Sequence, residues 1–156
     1  KFADAIVEKA NEDDTIWVHD YQLMLVPQMV KEKLPNISIG FFLHIPFPSF
    51  EIFRTLPWRE EVLKGLLGAD LIGFHTYDYE RHFLSSVRRI LGLEVSFNDI
   101  YLDNRIIKVD SFPMGIDYKK FSDAAKEHQQ RSPENQSELQ QRLNKHKKST
   151  PDAKFQ

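Results

Sequence analysis

Three short apolar runs recur along the chain, and each stops abruptly at a histidine. Thr15 to Val18 ends at His19-Asp20, Ile37 to Leu43 ends at His44, and Leu71-Ile-Gly-Phe74 ends at His75-Thr76. Runs of this length, almost without polar interruption, describe strands buried on both faces, as in parallel sheets, rather than half-wet antiparallel ribbons. The stretches between them change period. Leu23, Leu25, Val26, Met29 and Val30 follow the first run at helical offsets, and Trp58, Val62, Leu63, Leu66 and Leu67 precede the third. Strand and helix in alternation define an α/β chain whose helices cross over a parallel sheet.

In such sheets ligands bind beyond the carboxyl ends of the strands, where these runs place polar residues. Asp20 stands at a strand-to-helix turn, where its carboxylate can cap the helix or face a ligand; the local pattern favours neither. A lone histidine at a strand end is more often structural, but His44 and His75 share one rim with Asp20, which favours a site. His19 should face away from Asp20 and is read as structural. Lys31-Glu-Lys33 and Lys145-His-Lys-Lys148 read as solvated surface, and Trp17, Trp58 and the phenylalanines as core.

Phe2, Ile6, Val7 and Ala10 stripe an opening helix. A parallel α/β domain normally starts on a strand, so the order suggests a partial domain, with an apolar edge such as Ile37 to Leu43 or Leu71 to Phe74 left open. Pro46 and Pro48 stiffen the loop after the second strand. Ser49 is placed to cap a short helix, Pro57 to open the next, Thr76 or Asp78 to cap a third, and Gly92 to end it in the left-handed region. Asp103-Asn104 divides Ile100–Leu102 from Arg105–Val109 as a hairpin turn, so a small antiparallel excursion is expected before the chain rejoins the sheet. Gly115 is a position where backbone can approach a ligand. A helix begins near Tyr118. From Ser122 the composition turns polar, with Ser132-Pro133 a helix start and Leu139 and Leu143 the apolar positions, dividing the chain into a domain over 1–121 and a polar helical tail or linker over 122–156.

Composition removes several classes. The net charge is −2 and the 21 basic residues are matched by 23 acidic ones, so nothing points to nucleic acid or an anionic membrane as partner. There is no cysteine, which excludes disulfides and thiolate chemistry. No apolar run is long enough to span a bilayer and the first residues lack a secretory core, so the cytoplasm is the expected location. Glycine-rich nucleotide loops, His-Glu-x-x-His and Gly-x-Ser-x-Gly are all absent.

Four motifs carry a resemblance: Trp17-Val-His-Asp-Tyr-Gln-Leu-Met-Leu-Val-Pro27, Gly40-Phe-Phe-Leu-His-Ile-Pro-Phe-Pro-Ser49, Gly68-Ala-Asp-Leu-Ile-Gly-Phe-His-Thr76 and Phe112-Pro-Met-Gly-Ile-Asp117. Over about residues 1–125 they resemble the trehalose-6-phosphate synthase family of retaining glycosyltransferases. The resemblance implies a Rossmann-like parallel sheet with flanking helices, the later part of the N-terminal domain of a two-domain GT-B type enzyme. It implies transfer of glucose from UDP-glucose to glucose 6-phosphate, without metal or cofactor. Asp20 then matches the residue holding acceptor hydroxyls, and His44 the catalytic residue contacting the donor glucose. His75 lies in a matching motif with no assigned contact and is a candidate for supporting the site from behind. Gln22 departs from the His common at that place. The donor-phosphate arginine and lysine of the family have no counterpart here, so the isolated chain is expected to be inactive. A non-catalytic regulatory member, or a glucosyltransferase with another sugar-phosphate acceptor, are the alternative readings; a homo-oligomer is compatible with each.

Overall fold

A computed structural model describes residues 1–11, 13–102 and 104–130. Their contacts divide them into two compact units, Lys1–Met114 and a second beginning at Gly115. In the first, helix α1 (Phe2–Lys9) leads to strand β1 (Thr15–His19), a single 3-10 turn (Tyr21–Leu23) and α2 (Val26–Lys31). Strand β2 (Ser38–Phe42) is followed by α3 (Phe50–Phe53) and α4 (Arg59–Leu66), then β3 (Leu71–Phe74) and α5 (Tyr77–Ser86), which runs into a π turn (Val87–Leu91). Strands β4 (Glu94–Ser96), β5 (Asp99–Leu102) and β6 (Arg105–Ser111) complete the sheet. In the second unit, α6 spans Tyr118–Gln130. The expected helix start at Ser132-Pro133, the leucines 139 and 143 and most of the polar tail lie outside the described residues.

The sheet has the order β1-β2-β3-β6-β5-β4, parallel from β1 to β6 through β2 and β3, and antiparallel over β4, β5 and β6. The apolar runs therefore form parallel strands, and the antiparallel excursion returns to the sheet beside β3. The open edges are β1 and β4, not Ile37–Leu43 or Leu71–Phe74, because β2 and β3 are paired on both sides. Sequence order does not reveal that the third parallel partner is supplied by the returning β6.

Pairing fixes which side chains share a face. Val18, Phe41, Ile72 and Val109 are in register and bury into one cluster with Leu63, Leu66, Phe83 and Val87 from the helices. At about 25 cal/mol per Å² of apolar surface, each of these side chains contributes roughly 1.5–3 kcal/mol to burial. The opposite face carries Trp17, His19, Phe42 and Phe112; Trp17 remains 49% and Phe112 42% exposed. Trp58, before α4, is 65% exposed. The two tryptophans are thus not core, because no described helix covers the first and the second projects from a helix start.

Thr76 caps α5, its hydroxyl accepting from the Tyr79 amide at 3.4 Å, and Gly92 ends the π turn in the left-handed region at φ 68°. Ser49 precedes α3 without a side-chain capping bond. Lys31 is not solvated surface: its ammonium is 2.9 Å from Asp70 Oδ2, which also accepts the Ile39 amide at 2.8 Å, while Asp70 Oδ1 accepts from Arg105 at 3.0 Å. This network ties α2, β2, β3 and β6 together where β3 begins.

Candidate active site

The carboxyl ends of β1, β2 and β3 meet at one rim. The chain leaves β1 at Asp20, whose amide donates to the Phe42 carbonyl at 2.9 Å and so pins the turn to the end of β2. The turn is sharp, and Asp20 takes φ 68° and ψ 170°. That region is essentially confined to glycine, and a side chain there costs on the order of 1–3 kcal/mol. The carboxylate gains nothing local in return. It makes no capping bond to the 3-10 turn, and its Oδ1 is buried without a hydrogen-bond partner. Of the two roles open to Asp20 in the sequence, capping is removed. A buried polar atom lacking a partner in a strained backbone is the arrangement expected of a group whose partner is a ligand.

His44 follows β2 and is held from both sides. The amide of the preceding Leu43 donates to the Gly73 carbonyl at 3.0 Å. Beyond it Phe47 is buried against Phe53, Phe74 and Phe83, with centroids 4.9, 6.0 and 5.4 Å away, and its carbonyl accepts from His82 Nδ1 at 3.1 Å. The proline loop is thereby anchored by one aromatic residue while Ile45 and Pro46 stay exposed.

The structure brings a further imidazole to this place. His19 Nδ1 lies 3.0 Å from His44 Nε2, and the rings stack with centroids 5.2 Å apart. One nitrogen donates and the other accepts, so the contact holds a single proton and fixes the tautomer of each ring relative to the other. His19 does face away from Asp20, as strand alternation requires. However, β1 pairs His19 with Phe42, and His44 is two residues beyond Phe42, so both imidazoles fall on one face. His19 thus supports His44 through this register, which the sequence does not contain.

His75, at the end of β3, meets His44 edge-on at 5.5 Å and the Phe42 ring at 5.0 Å. Gly73 leaves room for this packing, since a Cβ there would stand 2.7 Å from the Phe42 ring. The rim therefore consists of one carboxylate and three imidazoles, with His44 packed against both His19 and His75 and no described hydrogen bond joining Asp20's carboxylate to them. Among the described residues, no group of three or more acidic or histidine side chains is placed to hold a metal ion, and no helix is long and apolar enough to cross a membrane. Gly115, considered as a ligand approach, has open space around it.

A mostly parallel sheet with flanking helices, with polar groups gathered at the strand ends, is the Rossmann-like architecture of a GT-B glycosyltransferase's N-terminal domain. The family model for glycosyltransferase family 20 matches residues 1–150, and the chain belongs to that family. Over 131 residues it is 53% identical to the 56 kDa subunit of alpha,alpha-trehalose-phosphate synthase [UDP-forming] from Kluyveromyces lactis, covering 81% of this chain and 27% of that protein. Among solved structures it is similar to the N-terminal domain of Candida albicans trehalose-6-phosphate phosphatase, with a TM-score of 0.73 and 39% identity over 94% of this chain and 30% of that one. It is also similar to the alpha,alpha-trehalose-phosphate synthase (UDP-forming) of Burkholderia xenovorans in complex with glucose-6-phosphate, with a TM-score of 0.71 and 30% identity over 84% and 30% of the two chains. The chain thus spans about a quarter to a third of the length of these relatives.

Proposed function

We propose that the whole protein transfers glucose from UDP-glucose to glucose 6-phosphate, forming trehalose 6-phosphate and UDP, and that this stretch supplies one wall of the sugar site. The observation carrying the reading is Asp20, strained and with an unpartnered buried oxygen at the rim. A carboxylate accepts two charge-assisted bonds and suits a pair of vicinal hydroxyls on the acceptor sugar. His44 contacts the donor glucose near the reacting carbon, where a fixed dipole stabilises developing positive charge on the ring. His19 and His75 set the position and tautomer of His44 rather than touching substrate.

In this reading the acceptor hydroxyl attacks the anomeric carbon on the face from which UDP departs. The carbon–oxygen bond to UDP breaks, and the hydroxyl proton passes to the departing phosphate oxygen. No enzyme nucleophile, metal or cofactor takes part. The relatives' UDP-forming activity and the glucose-6-phosphate complex of the Burkholderia protein support both substrates. The cytoplasm, where sugar nucleotides and sugar phosphates are held, is the proposed location, without nucleic acid or membrane as partner.

The test is assay of the full-length protein with UDP-glucose and glucose 6-phosphate. Formation of trehalose 6-phosphate that is lost in His44→Ala supports the reading, and no product from a folded protein overturns it. The likeness to the phosphatase's N-terminal domain favours one second reading, a regulatory or scaffolding synthase-like domain. In that case the full-length protein still binds glucose 6-phosphate or UDP-glucose but releases no UDP.

A further inference from the structure

The crossover between β2 and β3 carries a concentration of charge that glucosyl transfer leaves unused. A cavity of about 400 Å³ lies among α3, the start of α4 and the π turn, and its lining includes Phe50, Arg54, Arg59, Glu60, Arg89 and Ile90. Asp20, His19, His44 and His75 are not part of that lining. Three guanidinium groups from three separate positions face one space beside a single lining carboxylate.

Their own partners do not use them up. Arg59 donates through Nη1 to the Leu56 carbonyl at 3.2 Å, one of the five N–H bonds a guanidinium offers. Arg89 lies over the Phe50 ring at 4.6 Å and is 3.6 Å from Glu51, a loose pair on an exposed surface. Arg54 makes neither an ion pair nor a side-chain hydrogen bond among the described residues. Glu60, the lining carboxylate, is paired with Lys64 at 3.3 Å. Guanidinium stays charged at any working pH, so the cavity is electropositive within a chain whose net charge is −2.

We infer that this cavity is a binding site for a small phosphate monoester, distinct from the sugar rim. Planar N–H forks match the terminal oxygens of a phosphoryl group, and arginine is the residue suited to that geometry. Inorganic phosphate would fill only a small part of the volume. The Phe50 ring and Ile90 supply apolar surface for an organic body attached to the phosphate. Glu60 disfavours a second negative group and so selects a monoester over a more highly charged anion.

Calorimetric titration of the full-length protein with glycerol phosphate should give saturable binding, with weaker binding of inorganic phosphate. Arg54→Gln combined with Arg89→Gln should raise the dissociation constant at least roughly tenfold. Glu60→Gln should tighten binding several-fold, which keeps the test informative if the arginine pair fails to fold. Lys9→Gln, a single-charge change on α1, should alter nothing. A signal that does not saturate, equal affinity for inorganic phosphate and monoester, or insensitivity to the Arg54 and Glu60 substitutions would each overturn the assignment.

Discussion

Asp20 and Glu80 both carry buried carboxyl oxygens without partners, and replacing either carboxylate should leave the fold at least as stable. Asp20 occupies a glycine-type conformation, so Asp20→Gly should relieve strain of about 1–3 kcal/mol, partly offset by the 0.5–1 kcal/mol that glycine adds to unfolded-chain entropy. Thermal melting of the full-length protein should therefore show no loss and up to a few degrees' gain, while activity falls. Asp20→Asn keeps size and shape but loses the charge, and should lower kcat/KM for glucose 6-phosphate roughly ten- to a hundredfold with little change for UDP-glucose. Near-normal efficiency in Asp20→Asn would remove Asp20 from the site. Glu80 is 1% exposed and both its carboxyl oxygens lack partners. Burial raises its pKa; the Ser111 hydroxyl partly offsets this without reaching hydrogen-bond geometry, and the Asp110 carboxylate adds to the rise. Arg81 and Arg88 line a second cavity together with Glu80, on α5 and the π turn, but are bonded to Asp78 and the Val95 carbonyl. A carboxyl whose folded pKa is raised stabilises the fold when protonated, and that stability is lost as pH rises from the ordinary carboxylate range through the folded value. Glu80→Gln should consequently melt higher than the parent at neutral pH, with the gap closing at about pH 4. A lower melting temperature at neutral pH would mean that the carboxylate has a partner.

At the scale of elements, strands were far more legible than the joints between them. Ile37 to Leu43 and Leu71 to Phe74 announced themselves because a strand covered on both faces needs no polar residues, and Thr76 and Gly92 marked the ends of one helical segment through chemistry local to them. The position of Asp20, His44 and His75 just beyond their strand ends followed from the same reasoning. What stayed hidden depended on register or on what lies across from a residue. His19 reaches His44 only through pairing with Phe42, and Lys31 looked like surface because its acceptor is thirty-nine residues away on Asp70. That Asp70 cluster predicts its own test. Asp70→Asn leaves Lys31 and Arg105, whose side chains are 14% and 22% exposed, short of their common counter-charge. The loss should be about 1.5–3 kcal/mol in denaturant unfolding, and combining it with Arg105→Gln should cost clearly less than the sum of the single changes. Strict additivity would show that the two side chains are not coupled.

At the scale of the whole molecule, the charge that the proposed sugar-nucleotide chemistry requires lies, among the described residues, away from the rim. Breaking the bond to UDP develops negative charge on a diphosphate, and catalysis of that step rests on fixed cations aimed at the leaving group. The rim built by β1, β2 and β3 offers a carboxylate and three imidazoles, while the cluster of arginines lines a separate cavity at α3 and α4. The proposed sugar wall is likewise one-sided among the described residues, since Trp17 and Phe112 on that sheet face stay 49% and 42% exposed. An acceptor bound only there keeps its freedom to tumble away from the donor, which forfeits most of the advantage of holding two reactants together. The 156-residue chain should accordingly release no UDP from UDP-glucose above a protein-free control, with or without glucose 6-phosphate, while the full-length protein does so under the same conditions. Turnover by the short chain, abolished by His44→Ala, would place the leaving-group stabilisation within these residues and overturn the division of labour argued from the rim.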